Sequence, residues 1–139
     1  DISDSPSNGL TVCTGSFGSN KNNDLGRITK TYSDKIYFAH LRNIKRGPGN
    51  SFYESGHITG DLNMSEIVHN LISGENKRKT KEGFDWETYV RPDHGLDILG
   101  DSSCNQPGYP LWGRALGLAE LKGLMKGINY LEEIYNSNK

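Results

Sequence analysis

Four side chains able to hold a cation or move a proton stand at the ends of three β-like runs. Cys13 closes the run Gly9–Cys13, His40 falls at the end of Lys35–Leu41, and Asp93 and His94 follow Thr88–Arg91 within the stretch YVRPDHG. A thiolate, an imidazole and a carboxylate together suit a borderline divalent metal such as Mn, Fe or Zn. A second histidine beside them suits general acid–base work. Each residue alone has an ordinary explanation. Cysteine is a common small core residue, a strand-end histidine often makes a structural hydrogen bond, and an aspartate after Pro92 is a common turn residue. Their recurrence at equivalent positions of successive units is what points to a site. His57, in a long loop, fits a surface role as well as a substrate contact. His69 fits a structural or exposed position on a helix, and Cys104 has no assigned role.

The elements that must position these residues follow one pattern three times: a short β-like run, a Gly/Asn/Pro-rich loop, then an amphipathic helix. The first run leads through Gly15, Ser16 and Gly18 to a helix capped by Asn23 or Asp24, with Leu25, Ile28 and Tyr32 on one side. The second leads through a 22-residue connection between Leu41 and Met64 to a helix capped by Asn63. That helix has Glu66 at the capping-box position, a stripe of Met64, Ile67, Val68, Leu71 and Ile72, and Gly74 as its expected stop. The third leads to a last helix over roughly Leu111 to Tyr135, whose Gly113, Gly117, Gly123 and Gly127 predict close backbone packing. Strands alternating with helices predict an α/β fold with a parallel sheet, and near-continuous apolar strands predict that both its faces are covered. Three βα units form part of a (β/α)8 barrel or of an open doubly wound sheet; a complete barrel takes about 250 residues. Open sheet edges must be paired or covered, so the working object is expected to include other polypeptide. In parallel architectures ligands and catalysis sit at the carboxyl ends of strands, where Cys13, His40, Asp93 and the long connections all fall.

Bulk properties narrow the function classes. The chain has 139 residues, 33% of them hydrophobic, and a formal charge of −1. No basic field is present to hold a nucleic-acid backbone; Lys77, Arg78, Lys79 and Lys81 read as a solvated face in a loop. No apolar run approaches the roughly 18 residues of a membrane span, and the first residues lack the pattern of a secretory signal. With two cysteines, these features predict reduced thiols and a cytoplasmic protein.

Several stretches resemble mannonate dehydratase, in that family's order and over nearly the whole chain: DSPSNGLTVCTGSFGSNKNNDL, KIYFAHLRNIKR, SFYESGHITGDLNM, RPDHG and PGYPLWGRALGLAELKGL. The resemblance is to the C-terminal part of the family's longer chain. It implies a partial (β/α)8 TIM barrel, three C-terminal βα units spanning residues 1–139, and dehydration of D-mannonate to 2-dehydro-3-deoxy-D-gluconate with Mn²⁺ or Fe²⁺. It further implies Cys13, His40 and Asp93 as metal ligands, His94 and Tyr109 as acid–base residues, and Arg42 and His57 near the substrate. The expected partners are the remaining N-terminal barrel segment, which carries a further histidine ligand, and further copies in a homo-oligomer. Three alternatives stay open. A xylose-isomerase-like sugar isomerase would need a carboxylate-dominated metal site; a part-barrel fragment would be inert alone; a small secreted binding domain would carry a Cys13–Cys104 bridge.

Overall fold

The computed structural model of the chain describes residues 5–83, 85–98, 100–101 and 106–138. In order these form β1 (Leu10–Cys13), α1 (Thr14–Gly18), α2 (Leu25–Thr31), a 3₁₀ turn (Ser33–Lys35), β2 (Ile36–His40), β3 (Ile44–Arg46), β4 (Phe52–Glu54), α3 (Met64–Glu82), β5 (Tyr89–Arg91) and α4 (Leu111–Ser137). Strands β1, β2 and β5 make a parallel sheet in the order β1–β2–β5, so the chain is a mixed α/β protein built on parallel pairing. The three β runs read from sequence match these strands, no end differing by more than one residue.

The register explains which face is covered. Val12, Ala39 and Val90 lie side by side across the sheet, and the next row is Thr11, Phe38 and Tyr89. Because side chains alternate, these two rows point to opposite faces. The first row joins the core, which Leu25 of α2, Ile67, Val68 and Leu71 of α3, and Leu121 of α4 complete. The second row is bare: Thr11 is exposed, Phe38 is half-buried and Tyr89 is 66% exposed. Helices therefore cover one face, not two. The strands are apolar on both faces because the bare row also carries aromatic residues.

Helix ends follow their chemistry. Asp24 caps α2 by accepting from the Arg27 N–H at 2.9 Å, and Asn63 caps α3 by accepting from the Glu66 N–H. The stop expected at Gly74 does not occur. Helix α3 runs on to Glu82 and ends at Gly83, which adopts the left-handed conformation of a C-cap. Gly74 serves close packing: a Cβ there would lie 2.3 Å from the Ser33 backbone carbonyl. The longer helix also overturns the reading of Lys77–Lys81 as a solvated loop. The inner stripe continues from Leu71 through Gly74 to Arg78, which is only 2% exposed. Its guanidinium donates to the Ile36 carbonyl and the Thr88 hydroxyl, both at 3.0 Å, and lies 4.6 Å from the Tyr37 ring centroid. Arg78 thus ties α3 to the starts of β2 and β5.

The long β2–α3 connection contains an antiparallel hairpin, β3 with β4, in which Ile44 faces Glu54. Asn43 anchors it with all four hydrogen-bonding positions of a buried amide. Its nitrogen donates to the carbonyls of His57 and Leu62; its oxygen accepts from the N–H groups of Ile44 and Leu62. Arg46 fastens the hairpin to α1 by donating to the Gly18 carbonyl at 2.7 and 3.0 Å. At the other end, Asp101 substitutes for a capping residue of α4, its carboxylate accepting from the N–H groups of Trp112 and Gly113. Burial pushes this carboxyl up, but those backbone bonds outweigh it and hold it below its usual range. Of the α4 glycines, Gly113 and Gly117 do pack closely, whereas a Cβ at Gly123 or Gly127 would meet open space.

Helix propensity alone predicts that Gly74→Ala stabilises the protein by about 1 kcal/mol. The clash with Ser33 predicts the opposite, a loss of about 1–3 kcal/mol from overpacking, seen as a lower urea midpoint.

Candidate metal and acid–base site

Parallel pairing brings the site together before any side chain is considered. Cys13 lies opposite His40, and His40 opposite Arg91, at the carboxyl ends of β1, β2 and β5. Neighbouring strands are about 4.8 Å apart, and paired residues share a face. Two residues beyond Arg91, the chain turns sharply: Asp93 has φ +61°, a left-handed conformation that aspartate tolerates better than most residues. The turn sets the Asp93 carboxylate, 4% exposed, across the ends of all three strands.

That carboxylate has two differently employed oxygens. Oδ1 accepts from the Arg91 guanidinium in a close ion pair. Oδ2 lies 3.7 Å from Cys13 Sγ, 3.7 Å from His40 Nδ1 and 3.9 Å from His94 Nε2. One ligand atom from each of Cys13, His40 and Asp93 falls within 4.8 Å of the other two. Bonds of about 2.0–2.3 Å around a tetrahedral ion place ligand atoms roughly 3.3–3.8 Å apart, so the observed spacing fits a shared cation with little movement. The mixed sulfur, nitrogen and oxygen donor set fits a borderline transition metal and disfavours Mg²⁺. The Ser16 hydroxyl donates to Cys13 Sγ at 3.2 Å. Cys13 is a free thiol, and Cys104, with the bridge considered for it, lies outside the described residues.

His40 is packed edge-on against Phe38, with ring centroids 4.9 Å apart. Burial pushes its pKa below the ordinary 6.5; the nearby Asp93 charge opposes that shift without cancelling it. The neutral imidazole, the form able to ligate a metal, is therefore the favoured one. Thr14, fully buried at the start of α1, fixes the rim through a hydroxyl 2.5 Å from the Arg42 carbonyl and 3.0 Å from that of His40.

The other expected residues divide. His94 and Tyr109 come together, ring centroids 4.5 Å apart, and Gly108 makes room for the His94 ring, because a Cβ there would lie 2.8 Å from its Nδ1. Arg42 reaches the same region, packed against Gly15. His57 does not sit on the surface. It is 2% exposed, its Nε2 is 2.8 Å from the Pro92 carbonyl, and Gly117 leaves space for its ring. It braces the turn that carries Asp93. His69 is half-exposed on α3, 3.4 Å from Glu132.

Two further participants are not evident from sequence. Arg91 neutralises one oxygen of Asp93; its i, i+2 spacing was the available signal. Glu54, from the hairpin, accepts from Arg42 Nε at 2.9 Å and from Arg42 Nη2, and lies 3.2 Å from His94 Nδ1. The Glu54 carboxylate holds the Arg42 pKa above its ordinary value, although burial, the largest single influence, works the other way.

Fold and site together define a parallel α/β protein with a candidate cation site at its strand ends and a His94–Tyr109 ring pair beside it. A family model described as D-mannonate dehydratase (UxuA) matches residues 1–135. Similar proteins include mannonate dehydratase of Rhizobium meliloti (strain 1021), 43% identical over 131 residues, which are 91% of this chain and 33% of that protein. That of Bacillus subtilis (strain 168) is 44% identical over 125 residues, 88% of this chain and 32% of that one. The crystal structure of mannonate dehydratase from Streptococcus suis serotype 2 superposes with a TM-score of 0.79 at 34% identity, covering 95% of this chain and 36% of that one. The chain belongs to the D-mannonate dehydratase family, and it spans about a third of the length of the curated relatives it matches. Among the described residues no helix is long and apolar enough to cross a membrane.

In the metal-free protein, the His40 ring is expected to titrate below 6.5 in an NMR pH series. Its folded pKa is depressed, so the folded state binds fewer protons than the unfolded state between the two values. The associated stability is complete above 6.5 and declines as pH falls from there towards the folded pKa. A His40 titration midpoint above 6.5 would contradict this.

Proposed function

We propose that this chain is the C-terminal, metal-binding part of a cytoplasmic (β/α)8-barrel enzyme that dehydrates D-mannonate to 2-dehydro-3-deoxy-D-gluconate. The observation that carries the reading is the convergence of Cys13, His40 and Asp93 at the ends of three in-register strands, in a chain of this family. Three strands of a barrel would have one face under helices and the other turned to the barrel interior, which suits the bare row Thr11, Phe38 and Tyr89. The outer edges of β1 and β5, without partners among the described residues, suit pairing with the remaining barrel strands. Exposed apolar residues of α4, among them Trp112 and Leu116, suit contact with further polypeptide, either that segment or another subunit.

The reaction removes a proton from the carbon beside the substrate carboxylate and a hydroxyl from the next carbon, releasing water and an enol that rearranges to the keto acid. The proton is weakly acidic, since the charge left behind adjoins a carboxylate. Cys13, His40 and Asp93, with a ligand from the rest of the barrel, would hold Mn²⁺ or Fe²⁺, which would supply Lewis-acid stabilisation of that charge. His94 and Tyr109 divide the two proton steps: one takes the carbon-bound proton, the other protonates the departing hydroxyl. Their side-by-side placement lets both act on one substrate. Arg42 has N–H donors beyond the two held by Glu54, available to a substrate oxygen. His57 acts at one remove, by fixing the Pro92 carbonyl behind Asp93.

The test uses the full-length enzyme with Mn²⁺ and D-mannonate, following the keto-deoxy acid. Turnover is expected, with a fall of about 10²-fold or more in kcat for His94→Ala and Tyr109→Phe. Cys13→Ala is expected to lower bound metal, measured by elemental analysis. A ketose product would favour the isomerase alternative, and near-normal turnover by His94→Ala would remove the acid–base assignment.

A further inference from the structure

Glu54 is a polar residue of the site that neither ligand chemistry nor proton transfer uses. It stands on the hairpin, off the parallel sheet. Asn43 fixes that hairpin at its base and Arg46 ties it to α1. Its carboxylate is about one-fifth exposed and makes three contacts with two separate side chains. One edge of the Arg42 guanidinium meets both its oxygens, a fork-to-fork arrangement that fixes the plane of the guanidinium as well as its position. Its Oε1 also lies 3.2 Å from His94 Nδ1. A carboxylate that close favours the hydrogen on Nδ1 electrostatically, which in a neutral imidazole leaves the lone pair on Nε2. Nε2 is the nitrogen directed to the ligand cluster, 3.9 Å from Asp93 Oδ2. Phe52, on the same hairpin, lies under the guanidinium, 5.5 Å from ring centroid to Cζ. One strand thereby supplies both the anion and the platform that hold Arg42.

We propose that Glu54 is a positioning residue that couples the substrate-binding arginine to the acid–base histidine. By holding Arg42 and His94 on one carboxylate, it sets the distance between them and selects the Nδ1–H tautomer of His94. The inference rests on the dehydratase reading for the roles of Arg42 and His94, but not for the contacts themselves.

The full-length, Mn²⁺-loaded enzyme and its Glu54→Gln and Glu54→Ala variants test this with D-mannonate, alongside bound-metal content and thermal melting. Glutamine keeps the shape and one acceptor oxygen, enough for His94 Nδ1–H but not for an ionic hold on Arg42. Glu54→Gln is expected to raise KM at least about fivefold with the smaller loss in kcat. Glu54→Ala, which leaves both partners unheld, is expected to lower kcat at least about tenfold as well, with metal content unchanged in both. Independently of turnover, ¹⁵N NMR of the His94 ring is expected to show Nδ1–H in the parent and in Glu54→Gln, and a shift towards Nε2–H in Glu54→Ala. Kinetic constants within twofold of the parent in both variants would overturn the proposal. So would losses accounted for by missing metal or a lost fold, or a tautomer unchanged in Glu54→Ala. A parent enzyme that does not dehydrate mannonate would sink the functional reading, while the NMR result would still decide whether Glu54 sets the ring of His94.

Discussion

Every feature of the site depends on the in-register pairing of β1, β2 and β5. Parallel pairing aligns the carboxyl ends of the strands, and the register sets Cys13, His40 and Arg91 abreast. A slip of one residue on any strand would send its side chain to the opposite face. The register is secured far from the chemistry: the buried row Val12, Ala39 and Val90 packs under the helices, and Arg78 binds the starts of β2 and β5 to α3. The candidate cation ligands are thus held by the core rather than by one another. That independence matters because three donor groups with negative or partly negative ends do not gather unaided.

Electrostatic balance at the rim follows from how charges are shared. Asp93 faces Arg91 with one oxygen and the ligand cluster with the other, while Glu54 is matched by Arg42 and His94. Two carboxylates therefore stand close together, each with its own guanidinium. Burial at the rim lowers the His40 pKa and so favours its neutral form.

Much of this arrangement was legible in the chain itself. Short runs of β-branched and aromatic residues mark the strands, Asp24 and Asn63 mark helix starts, and the candidate ligands Cys13, His40 and Asp93 fall one per strand end. The rest was hidden for identifiable reasons. Three-residue strands such as β3 and β4 are too short to show a period, and Gly47-Pro48-Gly49 between them reads equally well as an ordinary loop. Glu54 was hidden with its hairpin. Arg78 reads as solvated because three flanking lysines make a charge run, while the helical stripe that buries it is visible only when α3 passes Gly74. Gly74 itself looked like a terminator because composition does not distinguish a glycine needed for backbone freedom from one needed for lack of bulk. His57 carried no sequence sign of its burial, since its bracing contact with Pro92 spans 35 positions.

The left-handed backbone at Asp93 narrows what evolution can place there. Asparagine would accept the torsion but present a neutral amide to Arg91 and to any cation. Glutamate would keep the charge on a longer arm that suits the torsion poorly, and glycine would relax the turn while contributing no oxygen. A single position must satisfy both handedness and ionic character, and among the common amino acids aspartate alone meets both demands well. The residue after Pro92 is thus constrained by its backbone as firmly as by its ion pair with Arg91.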